Sequence, residues 1–117
     1  MADTTQFEMV TPARIMTQKA AQMVVAPGVE GLFGVLPRHA PLLAALKRGI
    51  VEVHEDGKIT DRIMIDGGLA DVSGDSVTIM TERAIDLGTA NAVALKETAA
   101  GTNEAEADFI NAVIAEL

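Results

Sequence analysis

From Phe7 to about residue 87 the apolar side chains recur at every second position, in short runs separated by glycine-bearing turns. A strand presents successive side chains to opposite faces, so this period specifies half-buried sheet and excludes a bundle of amphipathic helices over that stretch. In residues 7–11, Phe7 and Met9 are expected on one face and Glu8 on the other. In residues 19–27, Ala21, Met23 and Val25 are expected to share a face. Residues 50–54 alternate again, and in residues 58–65 Ile59, Ile63 and Ile65 fall on one side. Asp56-Gly57 separates these two runs and suits the positive φ angles of a tight hairpin turn. A second hairpin is expected from residues 69–72, the turn Ser73-Gly74-Asp75, and residues 76–80, with Val77 and Ile79 together. Many short strands with such punctuation predict an antiparallel sandwich or barrel.

After Asp86-Leu87-Gly88 the pattern changes. Residues 89–100 are alanine-rich and favour helix. Gly101 interrupts, Thr102 or Asn103 can cap a second helix, and Glu106 is spaced for a capping box behind Asn103. That helix carries Phe109, Ile110, Val113, Ile114 and Leu117 as an apolar stripe opposite its acids. The expected organisation is a β domain over residues 1–87 and a helical hairpin over 88–117. Within residues 89–117 one lysine, Lys96, faces five acids, so this tail carries −4, half of the chain's formal net charge of −8. Helices this short are marginal alone, so the apolar stripe must dock on another surface.

A chain of 117 residues holds one domain with a core of its own. The acidic balance argues against nucleic acid, which requires a basic face. With no cysteine there are no disulfides, thiolate metal sites or cysteine nucleophiles. The longest apolar run, residues 41–46, is far below the ~20 residues that span a bilayer, so no membrane insertion is expected. The first fourteen residues lack the basic start and apolar stretch of a secretory signal.

Catalytic parts are missing. Ser73 and Ser76 both sit at a predicted turn, outside any nucleophile motif. His39 and His54 are too few for the common zinc sites. The spacing of Gly28, Gly31 and Gly34 superficially resembles a phosphate loop, but no lysine–serine pair ends it. Glu52, Glu55, Asp56 and Asp61 gather at a hairpin end, where solvated acids are normal, and His54 is expected as an exposed surface residue. No catalytic residue, metal site, cofactor or nucleotide site is assigned.

Residues 28–49 are the unusual part, holding four of the ten glycines, two of the four prolines and His39. Gly28, Gly31 and Gly34 signal turns or close backbone approach, and Pro37 and Pro41 bias residues 36–41 toward an extended, stiff path. Leu42, Leu43 and Leu46 supply apolar anchors, while Arg38, Lys47 and Arg48 concentrate positive charge. Such a segment either meets another surface or closes one end of a sandwich.

This segment strongly resembles the epsilon-subunit family of F-type ATP synthases (delta in mitochondria). The resemblance lies in Pro27-Gly28-Val29-Glu30-Gly31, then Gly34-Val35-Leu36-Pro37-Arg38-His39-Ala40-Pro41-Leu42-Leu43, then a Lys47-Arg48-Gly49 turn. It continues through the double glycine Gly67-Gly68 and the strands up to residue 84, and covers about residues 5–87. It implies a mainly β fold with a small α appendage, a flattened antiparallel β-sandwich of about ten short strands followed by a short helical hairpin. It also implies a non-catalytic central-stalk subunit that binds the gamma subunit and the c-ring, passes rotation between them, and lies peripherally on the cytoplasmic face of a bacterial inner membrane. By the same resemblance Val29, Glu30, Gly31, Leu32, Arg38, His39 and Ala40 are expected at the c-ring, with His39 holding the junction by hydrogen bonds. Gly28, Gly34, Pro37, Pro41, Gly49, Gly67 and Gly68 are expected as structural turns. The tail departs from the family pattern. It is short and acidic, and Thr89 stands where nucleotide-binding members carry an arginine. Weak or no inhibition of ATP hydrolysis is therefore expected from it, with alpha and beta subunits as open partners. A stand-alone β-sandwich binding module is the competing reading.

Overall fold

The computed structural model describes residues 3–117. Eight strands precede two helices: β1 (Thr5–Thr11), β2 (Arg14–Ala21), β3 (Met23–Gly28), β4 (Gly31–Val35), β5 (Leu42–Glu55), β6 (Lys58–Ser73), β7 (Ser76–Met80), β8 (Ala84–Asp86), α1 (Ala92–Ala100) and α2 (Glu104–Ala115). Hydrogen bonding runs in the order β2-β1-β7-β6-β5-β3-β4, with β8 beside β6. β5 and β6 are 14 and 16 residues long. Their paired ends 42–46 and 68–72 continue into β7, β1 and β2, while their other halves pair with β3 and β8, and β4 extends that layer beyond β3. Each long strand thus serves two layers of five segments, which is how eight strands make the roughly ten short segments that the resemblance implies. One pairing, β1 with β7, is parallel.

The layers face each other across a core in which Phe7, Met9, Val77 and Ile79 meet Val24, Val51, Val53, Ile63 and Ile65, all fully buried. Alternation places Phe7 and Met9 inward as the sequence implies. The expected shared face of Ala21, Met23 and Val25 is not formed. β2 ends at Ala21, the chain bends at Gln22, and β3 restarts in the opposite phase, burying Val24 and Ala26 instead. A slip of one residue moves a whole side-chain set to the other face. Ile63 and Ile65 are buried, but Ile59 is exposed, because an irregularity at Thr60 shifts the register and pairs Ile59 with outward-facing His54. Asp56 and Gly57 both take positive φ in its turn, and Ser73 pairs with Ser76 in the next hairpin, as their sequences require.

The hairpin acids are less solvated than expected. Lys19 on β2 bridges Glu55 at 2.6 Å and Asp61 at 2.7 Å, tying the β5–β6 tip to the other layer. The hydrogen bonds it donates to Asp61 and Glu55 raise the Lys19 ammonium above its ordinary range. Lys19 in turn lowers Glu55. Burial pushes Asp61 up, but Lys19 and Thr60 outweigh it and hold its carboxyl below the ordinary range. His54 is half-buried beside Glu52, 3.3 Å away.

The two long strands can change layers because the backbone comes close where they do so. Gly68, at φ +135°, would place a β-carbon 2.1 Å from the Met80 carbonyl oxygen. Gly49 would place one 2.8 Å from the Pro27 β-carbon. Gly49 is therefore a mid-strand contact of β5, not the expected turn, and Gly34 likewise lies inside β4. Gly68→Ala is expected to lower unfolding free energy by about 2–4 kcal/mol, from a backbone clash at an unfavourable φ. Urea unfolding checks this; a loss below about 0.5 kcal/mol would show that the approach relaxes at little cost.

Candidate interaction surface

The connection between β3 and β4 is a two-residue turn, Val29-Glu30, closed by the pair Gly28 and Gly31. Gly31 takes φ +132°, and a β-carbon on Gly28 would lie 2.8 Å from the Gly31 carbonyl oxygen. Glycine at both posts therefore sets the tightness of the turn. The Val29 amide donates to the Ala45 carbonyl at 3.1 Å, which fixes the turn against the start of β5. Between them lies a groove of about 490 Å³ with Phe33 and Ala44 at its floor. Its rim is apolar and open to solvent: Leu32 is 73% exposed and Leu43 67%, with Val29 and Leu42 beside them. Clustered large apolar side chains held out by tight turns mark an interaction surface.

The segment 36–41 does not run extended as expected. The His39 amide donates to the Leu36 carbonyl at 3.1 Å, and Arg38 takes φ +63°. Proline at the second position with positive φ at the third is the pattern of a type II turn, so Pro37 bends the chain where stiffening was expected. The Arg38 guanidinium donates to Asp3 at 3.0 Å, which lowers the Asp3 carboxyl and raises Arg38. This pair is open to water and contributes little to stability. His39 places Nδ1 2.6 Å from the Ala40 carbonyl, a local contact inside the turn. Val29, Glu30, Gly31 and Leu32 are thus brought together at one end of β4. Arg38, His39 and Ala40 form a separate turn at the other end, about 15 Å along the strand.

The helical tail packs against the outer face of the β3–β5–β6 layer. Phe109 and Val113 are buried with Met64, and Ile50, Ile85, Leu87 and Leu95 pack around them. Ile110 is buried too, whereas Leu117, the last residue of the expected stripe, is exposed. Asn91 and Asn103 cap the two helices through their side-chain oxygens. Glu106 accepts the Thr102 hydroxyl, so it does not return the hydrogen bond of a capping box. Arg48 joins tail to sandwich: Nε donates to Asp66 at 2.9 Å, a terminal nitrogen donates to Asp108 at 3.0 Å, and the guanidinium lies 5.7 Å from the centre of the Phe109 ring. Arg83 holds the other Asp66 oxygen at 2.9 Å. No local sequence signal marks this joint, because its partners are 18 and 60 residues apart. Nearby, Asp86 spends a carboxylate oxygen on the Gly88 amide, 2.8 Å away. Among the described residues no group of acids and histidines has the arrangement of a metal site, and no helix is long and apolar enough to cross a membrane.

The sequence model of the family described as "ATP synthase, Delta/Epsilon chain, beta-sandwich domain" matches residues 4–87. The chain belongs to this family. It is similar to the ATP synthase epsilon chain of Rhodospirillum rubrum, 44% identical over 87 residues that make up 74% of this chain and 65% of that one. It is also similar to the epsilon chain of Paramagnetospirillum magneticum, 39% identical over 75% of this chain and 66% of that one. The chain therefore spans just under two thirds of the length of these delta/epsilon relatives. Among solved structures it shares the fold of a chain in the Euglena gracilis mitochondrial ATP synthase (OSCP/F1/c-ring), with a TM-score of 0.69 and 22% identity over 95% of this chain and 75% of that one. That likeness extends past the sandwich into the helical tail, which lies beyond the family match.

Within this delta/epsilon chain, Arg48→Ala is expected to cost about 1 kcal/mol and to speed amide exchange in α2 without affecting the β core. Hydrogen-exchange mass spectrometry reads both. Unchanged protection across residues 104–115 would show that apolar packing alone holds the tail.

Proposed function

We propose that this chain is a non-catalytic central-stalk subunit of a proton-translocating F-type ATP synthase, coupling rotation of the c-ring to the gamma subunit. Its working division is a sandwich over residues 1–87 that makes the couplings and a hairpin over 88–117 that stays docked. In this reading the subunit is peripheral, on the cytoplasmic face of a bacterial inner membrane, and part of a hetero-oligomeric complex.

One observation carries the reading: an ATP synthase delta/epsilon sandwich displays a glycine-posted turn, Val29-Glu30 between Gly28 and Gly31, fixed to β5 by a backbone hydrogen bond and flanked by exposed Val29 and Leu32. Transmitting torque needs a surface that does not yield, and the turn has little freedom to do so. Arg38, His39 and Ala40 form a second turn at the far end of β4, so in this reading they meet the c-ring only if its contact extends along that strand. The acidic tail supports the finer statement that hydrolysis is weakly inhibited or not at all. Five acids against one lysine oppose approach to another acidic surface, and Phe109, Ile110 and Val113 are already buried in the docked position.

Two experiments on the assembled enzyme test this. Glu30→Cys is expected to form a disulfide with a cysteine placed in a c-ring loop and to block rotation until reduced; cross-linking only to remote stalk regions would remove Glu30 from the junction. Truncation after residue 88 is expected to leave ATP hydrolysis unchanged within about twofold. A several-fold activation would identify the tail as an inhibitor after all.

A further inference from the structure

β4 ends the hydrogen-bonded order on one side, so among the described residues one edge of this strand has no neighbour. The hairpin that joins it to β3 closes on the pair Gly28 and Gly31, which fixes the phase of its backbone. Hydrogen-bonded positions alternate along an antiparallel pair, so Gly31, Phe33 and Val35 spend their backbone groups on β3. The N–H and C=O groups of Leu32 and Gly34 therefore project from the free edge. Pro27, which has no N–H, falls opposite Leu32 at a position that needs none, as this phase requires.

Edge strands are normally blunted by charge, proline, a bulge or shortness. The edge strand of the other layer, β2, carries Arg14 and Lys19 and pairs across a bulge. β8 is three residues long. Gly31–Val35 has none of the first three devices: it is uncharged, free of proline, and in unbroken register with β3. Gly34 stands in its middle without being required by its own fold, since a β-carbon there would meet only the Met23 side chain, no closer than 3.5 Å. Glycine inside a strand is otherwise a cost, and it suits a place where another backbone comes close.

Charge selects the occupant of this edge. Glu30 stands just before β4 and has no lysine or arginine partner among the described residues. Arg38 stands just past its end, exposed and held only by exposed Asp3. One strand thus carries opposite charges at its two ends. An antiparallel second copy of β4 sets Glu30 of each chain toward Arg38 of the other, whereas a parallel copy sets like against like. Centring the two-fold axis on Gly34 makes the two Gly34 residues exchange hydrogen bonds and sets Leu32 of each copy beside Leu36 of the other. These leucines share a face and are 73% and 57% exposed, so each covers the other. Across the groove, exposed Leu42 and Leu43 add apolar surface on the same side.

We infer that the free edge of β4 pairs with the same edge of a second copy of this chain, antiparallel and centred on Gly34. The contact is isologous, so it closes as a dimer and does not propagate. A five-residue strand falls short of the ~800 Å² a side that stable dimers bury, so the pairing is weak and reversible. It covers Leu32 and crowds the Val29-Glu30 turn, so a paired chain cannot offer that turn to another neighbour. With the stalk reading above, pairing becomes a state of the chain outside the assembled enzyme; the pairing itself does not rest on that reading.

Sedimentation equilibrium of the full chain between about 10 µM and 1 mM covers the affinities that so small an interface supports. A reversible monomer–dimer equilibrium is expected. Leu32→Lys and Gly34→Pro are each expected to raise its Kd at least about tenfold, with thermal melts reporting on folding. Leu32 lies on the surface, so Leu32→Lys carries the test even if Gly34→Pro does not fold. Mixing Leu32→Cys with Leu36→Cys chains under mild oxidation is expected to give the mixed disulfide dimer in excess over either self-pair. A chain that stays monomeric throughout, open-ended oligomers, a dimer indifferent to the folded variants, or an excess of the self-paired Leu32→Cys dimer overturns the inference. None of these results touches the stalk reading, which is decided by cross-linking of Glu30→Cys in the assembled enzyme.

Discussion

The architecture depends on two strands being allowed to change layers. β5 and β6 each lend one end to either side of the core, so the layers are not separate sheets held only by side chains; their backbones are continuous. The change brings chain past chain at distances that leave no room for a side chain, at Gly68 against the Met80 backbone and at Gly49 against the Pro27 ring. Everything displayed on the surface depends on this. The turn at Val29-Glu30 is anchored to β5 next to one crossing, and Arg48 projects from the other to meet the tail.

The tail is held by a different kind of force. Three apolar side chains of α2 cover Met64 and its neighbours, and one guanidinium spans a sandwich carboxylate, a helix carboxylate and an aromatic face. Asp66 is itself shared with Arg83, so the ion pairs form a connected group and the side chains restrain one another. Connected charges lose less freedom per contact than isolated pairs, although those near water remain weak. The apolar contact supplies most of the attachment, and the charges select the register at which the helix sits.

What is legible in the sequence depends on the range of the interactions involved. Alternation, the turns at Asp56-Gly57 and Gly74-Asp75, and the apolar stripe of α2 are local, and the sequence displays them directly. The phase of β3 is not legible, since Gln22 resets it through a bend stabilised by backbone contact with His54, far along the chain. Pro37 reads as a stiffener because its effect on the residue before it is local; that it opens a turn depends on the loop having to return to β5. Gly49 carries the same identity whether it makes a turn or admits Pro27 across the layer, and only the fold decides. The turn at Val29-Glu30 is readable from its glycines, but the groove beside it is not, because its second wall begins at Leu42.

The parallel pairing of β1 with β7 has a consequence for biosynthesis. Phe7 and Met9 leave the ribosome well before the strand that flanks them, which lies some seventy residues later, from Ser76 to Met80. Contacts so distant along the chain form slowly and late. Until that strand is made, the nascent amino-terminal segment has only the β2 hairpin for shelter, and it cannot complete its layer. The seam that closes last in time therefore lies beneath one of the largest side chains of the core, so a translational pause or truncation upstream of Met80 would leave Phe7 without its permanent neighbour.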